Sequence, residues 1–276
     1  MTSGTEWQAI VGRNWAEMYR KTDRSFANLT PHLLERISQF PGSAVLDIGC
    51  GAGELSLAVA DARKQARVTG IDVSEDLVAA ARERAGEREH VDFAVADAAI
   101  WEPDGAVPDL LISRHGVMFF DNPPGAFAHL RRIAAPGARL AFSCFRTPRE
   151  NPWASDMAAM ISALGAVTAP ADPHAPGPFA FADPDHVRAI LLSAGWTDIE
   201  FEAFDYAFVA GLGTDAIADA ADFFSRIGPA AAAMRQLPEG ERAALQARIS
   251  VWLERHCTGT LVAFPAAAWI VTAQNG

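Results

Sequence analysis

From residue 43 to residue 145, short runs rich in Val, Ile and Leu alternate with Ala-rich amphipathic segments. Continuous apolar runs of five to seven residues suit strands buried on both faces, and the segments between them suit covering helices, so the pattern predicts βα units around a parallel sheet. The predicted strands are residues 44–48, 67–71, 91–95, 109–113 and 139–145, with helices near 54–63, 75–84 and 124–134. Asn122 and Pro123 suit a helix start, and Pro136-Gly137 stops that helix before the fifth strand. Upstream, 7–20 and 31–40 have helical spacing, and residues 1–42 are expected to form a helical lid on a domain spanning 43–276. Downstream, a proline-rich connection is interrupted by a helix at 153–164, and a further helix runs from Pro184 to Ser193. An extended run follows at 197–209, then two helices within 213–257 broken at Leu237-Pro238-Glu239-Gly240, and a last strand at 264–273. The stretches about 146–182 and 211–260 are therefore expected as insertions that build a pocket.

Composition narrows the class. Half of the 276 residues are apolar and 21% are charged, a globular balance that excludes wholesale disorder. Cys50, Cys144 and Cys257 are scattered and form no C-x-x-C pair, so neither a disulfide framework nor a zinc knuckle is encoded. His174, among prolines, is expected to bind no metal. Residues 1–10 lack a basic stretch followed by an apolar core, and no run of eighteen apolar residues occurs, so a cytoplasmic protein without membrane insertion is expected. A net charge of −11 without a Lys/Arg cluster disfavours nucleic acid as a partner. The helical insertion suits a homodimer interface as well as a pocket.

The chemistry gathers at the carboxyl ends of the predicted strands. Val45-Leu46-Asp47-Ile48 runs into Gly49-Cys50-Gly51-Ala52-Gly53, a glycine turn that lets a ligand approach the main chain. The spacing is G-x-G-x-G, and Glu54 stands where a dinucleotide loop needs its third small residue. Asp72 closes the second strand, where a carboxylate can accept two hydrogen bonds from a ribose diol; Ser74 is free to cap the next helix. Asp97 follows the third strand and can accept from an adenine amino group.

With the Leu130-Arg131-Arg132-Ile133-Ala134-Ala135-Pro136-Gly137 segment, these motifs resemble class I S-adenosylmethionine-dependent methyltransferases, in the bacterial methyltransferase-domain group related to quinone-biosynthesis enzymes. The resemblance covers about a hundred residues, Val45 to Arg146. It implies a Rossmann-like α/β sheet of order 3-2-1-4-5-7-6 with the seventh strand antiparallel, and S-adenosyl-L-methionine as cofactor. It also implies that Asp47, Gly49, Cys50, Gly51 and Gly53 meet the methionine part, that Asp72 takes the ribose, and that Val73, Asp97 and Ala98 meet adenine. Ser113, Arg114 and His115 would lie beside the methyl group.

An in-line methyl displacement depends on alignment and exclusion of water. His115 is the candidate base for a hydroxyl or carbon-acid proton, or else a positioning or packing histidine. Arg114 is read as a partner of the cofactor carboxylate or of an acidic acceptor, or as a solvated strand-end charge. Trp15, Tyr19, Met118, Trp153 and Phe179 are candidate substrate contacts, with core packing as the alternative. Asp121-Asn122-Pro123-Pro124 resembles an amino-group methyltransferase motif but has Gly125 in place of the aromatic, and is read as a turn. The expected activity is methylation of oxygen or carbon on a small aromatic or lipophilic acceptor; a non-catalytic cofactor-binding scaffold and a nicotinamide-dependent oxidoreductase are the alternatives.

Overall fold

The computed structural model describes residue 8, residues 10–164 and residues 172–276; Trp7 and the part of the long connection at 165–171 lie outside them. The five expected core strands form: β1 (Ala44–Ile48), β2 (Arg67–Asp72), β3 (Val91–Val95), β4 (Leu110–Arg114) and β5 (Arg139–Phe145). All pair in parallel. Two long strands follow, β6 (Thr197–Leu212) and β8 (Leu261–Gln274), with a two-residue β7 (Cys257–Thr258) folding back on β8. The order is β3-β2-β1-β4-β5-β8-β6, and β8 runs antiparallel to both neighbours, so the expected Rossmann-like α/β topology is present once β7 is set aside. Leu46, Ile48, Val68, Ile71, Leu110, Leu111 and Ile112 are essentially without exposure, which is the burial on both faces that their unbroken apolar runs predict.

Helices α4 (Glu54–Ala62), α5 (Glu75–Ala85), α6 (Pro123–Ile133) and α8 (Pro184–Ser193) lie within two residues of their expected bounds. Their starts follow capping chemistry: Ser74 Oγ accepts from Leu77 N–H, Asn122 Oδ1 from Gly125 N–H and Asp183 from Asp185 N–H. The Asn122-Pro123-Pro124 stretch is thus a helix cap, as read.

Two stretches differ from expectation. The helix expected at 7–20 is broken at Met18 into α1 (Ile10–Glu17) and α2 (Tyr19–Ser25), followed by α3 (Thr30–Ser38). The break turns three charged residues of α2 inward: Lys21 pairs with Asp219 and Asp222, Arg24 with Asp219, and Asp23 with Arg84 and Arg114. The helix also covers the sheet's β6 edge, where Ser25 Oγ and the Arg24 guanidinium donate to the Val209 carbonyl, while Asn28 in the following turn donates to Ala207. The region 213–257 holds three helices instead of two, α9 (Ala216–Arg226), α10 (Pro229–Gln236) and α11 (Glu239–Arg255). The extra break falls at Gly228, whose φ of 82° is a glycine conformation, just before Pro229. The helix at 153–164 is α7 (Pro152–Ser162).

Candidate active site

The carboxyl edge of the parallel strands opens into a cavity of about 380 Å³. Its floor is the turn after β1, where Gly49, Gly51 and Gly53 have φ of 64°, 55° and 81°. A Cβ at Gly49 would lie 2.9 Å from Gly116 Cα, and one at Gly53 would lie 2.8 Å from Phe93. One at Gly51 would meet nothing within 4 Å. The outer two glycines thus let the turn pack, whereas the middle one leaves open space above bare main chain.

The acids stand around this floor. Asp72 Oδ2 accepts from Gly51 N–H and its Oδ1 from Ser74 N–H, each at 2.9 Å, which fixes the carboxylate at the end of β2. Burial raises its pKa against these donors. Asp47 is 1% exposed; its Oδ2 accepts from Ser56 Oγ at 2.5 Å and its Oδ1 has no partner. Burial, reinforced by nearby Asp72 and opposed by Ser56 and Arg114, pushes Asp47 up to about 7. Asp97 is exposed at the cavity rim, holds its turn by accepting from Ala99 N–H, and stands beside Ala98 and Val73 on the lining. Cys50 lines the floor as a buried thiol whose pKa burial raises.

This donor set fits S-adenosylmethionine. A hollow over Gly51, a fixed carboxylate one strand away and an unpartnered buried carboxylate oxygen match a main-chain-bound, diol-bearing and cationic group respectively. Asp47, the glycine turn, Asp72 and Asp97 would hold it.

Arg114 and His115 end β4. Arg114 is not the solvated charge considered from the sequence: its side chain is 13% exposed, pairs with Glu54 and Asp23, donates to Thr30 Oγ at 2.9 Å and covers the Phe26 ring. Glu54, out of place for a dinucleotide loop, is therefore the partner of a buried arginine. His115 adopts φ of 60°, uncommon for a residue with a Cβ, and its N–H donates to the Ser143 carbonyl on β5. Gly116 allows this corner, because a Cβ there would sit 2.5 Å from the Ile48 carbonyl oxygen. Ser113 Oγ ties the corner to β1 by donating to that oxygen at 2.6 Å and accepting from Gly116 N–H.

The His115 ring is buried, stacks on Phe145 at 4.0 Å and leaves both nitrogens without a partner. Burial first, and Arg114 second, hold its pKa well below the usual histidine value, so the imidazole is neutral near pH 7.

Beyond His115 the cavity continues into an aromatic chamber. Trp153 stacks on Phe208 at 4.9 Å with its indole N–H held by Asn151, and Phe179 packs against both Trp153 and Phe145. Trp15, Tyr19 and Met118 also line the cavity, so the cofactor and substrate candidates named from the sequence gather around one space, apart from Gly53, which packs against Phe93, and Ser113, which lies behind the lining. Phe26, Phe145, Phe208 and Phe223 were not singled out, although they line the chamber. Their only signal was an aromatic at a strand end (Phe145), within a strand (Phe208), just after a helix (Phe26) or inside one (Phe223), each of which reads equally as core. His174 is not isolated as expected: it stacks on His186, with ring centroids 3.6 Å apart.

Residues 45–137 match the family described as methyltransferase domain. Over this third of the chain the sequence is therefore similar to methyltransferase domains. The trans-aconitate 2-methyltransferase of Acidovorax sp. (strain JS42) is 32% identical over 124 residues, covering 45% of this chain and 46% of that protein. Malonyl-[acyl-carrier protein] O-methyltransferase 2 of Ilyobacter polytropus is 26% identical over 140 residues, covering 49% and 53%. The chain thus spans about half the length of these curated relatives. Among solved structures, a methyltransferase-like protein from Bacillus halodurans C-125 superposes with a TM-score of 0.56 at 17% identity, covering 90% of this chain and 99% of that one. The [4+2]-cyclase SpnF superposes at 0.53 with 21% identity, covering 90% and 80%. These likenesses extend the shared fold beyond the methyltransferase domain to most of the chain. The described residues contain no helix long and apolar enough to cross a membrane.

Proposed function

We propose that this chain is an S-adenosylmethionine-dependent methyltransferase acting on oxygen or carbon of a small aromatic or lipophilic acceptor. The observation that carries the reading is one continuous cavity with the glycine turn and its acids at one end, the aromatic chamber at the other, and His115 between them. When bound, the cofactor supplies an electrophilic methyl group on a positively charged sulfur. Asp72 and the Gly51 main chain hold the nucleoside side, and Asp47 faces the charged side. The rings of Phe145, Trp153 and Phe179 hold the acceptor and exclude water.

A neutral His115 accepts the hydrogen bond of the acceptor's hydroxyl or acidic C–H at a ring nitrogen. As the acceptor becomes a nucleophile its proton would move to the His115 ring nitrogen, leaving an imidazolium in the chamber. The low proton affinity of this buried ring then favours passing the proton to water as product leaves.

The test is release of S-adenosylhomocysteine with a panel of phenolic, quinone-like and polyketide acceptors, followed by mass assignment of the methylated position. His115→Asn tolerates the left-handed backbone but takes up no proton, so turnover is expected to fall by about 10²-fold with cofactor affinity unchanged. Full turnover in this variant would reduce His115 to a positioning residue. Reduction or oxidation of nicotinamide cofactors by the purified chain would favour the oxidoreductase alternative.

A further inference from the structure

Among the described residues lining the cavity there is one cation, Arg114, against five carboxylates, Asp23, Asp47, Asp72, Asp97 and Asp121. That arginine is already committed. It is buried, pairs with Asp23 and with Glu54, and donates to Thr30. Recruiting it for a ligand would take the part-buried Glu54 carboxylate from its counter-ion and leave Asp23 with Arg84 alone, which offsets what the new pair returns. The chamber beyond it is walled by rings, and the indole N–H of Trp153 is spent on Asn151. His115 contributes two buried ring nitrogens without partners, in a neutral imidazole with nothing to balance a ligand's negative charge.

We infer that the acceptor enters this chamber without negative charge, as a flat apolar body that offers a single hydroxyl or comparable polar group to His115, and that carboxylate-bearing acceptors are excluded. This rests on the methyltransferase reading for the word acceptor but not for the selectivity, which is built into the wall of the folded chain. It also separates this chain from the polycarboxylate named in its trans-aconitate relatives. An anion would lose its hydration among rings, share a cavity whose lining carries five carboxylates and find its one possible partner occupied. A neutral phenol loses little on entry and repairs an unsatisfied histidine nitrogen.

A matched set of ligands tests this: naphthalene, 2-naphthol, 2-naphthoate and 2-naphthylmethylammonium share one ring system and differ in polarity and charge. Their binding to the full chain is measured by calorimetry at about pH 7, where a phenol is protonated, both with and without S-adenosylhomocysteine. The naphthol is expected to bind at least about tenfold more tightly than naphthoate, and the ammonium, which the cavity's carboxylates favour, to bind more tightly than naphthoate as well. His115→Phe is expected to bring it to within about twofold of naphthalene. Phe179→Arg, which sets an unpaired cation on the chamber wall, is expected to raise naphthoate affinity about tenfold and keeps the test open should His115→Phe fail to fold. Naphthoate binding as tightly as naphthol, or more tightly than the ammonium, to the unaltered chain overturns the inference. Failure of S-adenosylhomocysteine to bind, with naphthol selectivity intact, counts against the methyltransferase reading alone.

Discussion

Asp47 shows how one side chain carries both a cost and a use. Burial lifts its pKa from 3.8 to about 7. Between those values the folded chain binds a proton that the unfolded chain does not. The sign follows: this group's contribution to stability falls as pH rises from about 4 to 7, and the cost of a buried ionised carboxylate is fully present above 7. A cationic ligand beside its unpartnered oxygen reverses that balance. S-adenosylmethionine binding at pH 6 is therefore expected to release a proton and to tighten as pH rises to 8. Calorimetry in two buffers of different ionisation enthalpy reads the proton directly, and Asp47→Asn should abolish both effects. The glycines give a second contrast at this scale. Gly116→Ala drives a methyl group against the Ile48 carbonyl and should lose about 2–3 kcal/mol of stability by denaturant titration. Gly51→Ala meets no atom, so it should cost only the ~1–2 kcal/mol of a left-handed alanine while filling the hollow and weakening S-adenosylhomocysteine at least about tenfold.

At the scale of elements, α2 is a polar clasp. Its seven residues, Tyr-Arg-Lys-Thr-Asp-Arg-Ser, have no apolar stripe, and its charges read as solvated when only the sequence is in view. In the fold Lys21, Asp23 and Arg24 are half-buried between β6, α9, α5 and the end of β4, because each finds an opposite charge or an edge carbonyl there, while Arg20 stays exposed. Asp23 holds both Arg84 and Arg114. Removing it in Asp23→Ala should cost about 1–3 kcal/mol and speed amide exchange in α2 ahead of the sheet, since it leaves part-buried guanidinium groups short of a partner. Equal exchange in both variants would show that α2 is held by packing instead. The core strands and the helices between them were legible because period, capping and Pro/Gly punctuation all act locally. The break at Met18 and the inward turn of α2 were not, because their causes lie at Asp219, Arg84 and Arg114, far away in sequence. The Gly228-Pro229 break did carry a local signal, a glycine before a proline inside an Ala-rich run.

Across the whole molecule, the site divides along the same line. Its acidic half was legible because three acids at three successive strand ends need only the parallel topology to meet at one edge. Its aromatic half was not, since Phe26, Phe145, Phe208 and Phe223 come together only once α2, β5, β6 and α9 are placed. The assembled cavity is acidic and main-chain-lined at one end, apolar at the other, with a net charge of −11 on the chain around it. That distribution suits a cationic cofactor and a neutral partner. The most direct measurement is calorimetric binding of S-adenosylmethionine and S-adenosylhomocysteine to the purified chain and to Asp72→Ala. One site per chain is expected for both ligands, with at least a tenfold loss, about 1.4 kcal/mol, when the Asp72 carboxylate is removed. No binding by the folded chain, or binding that ignores Asp72, would contradict that expectation.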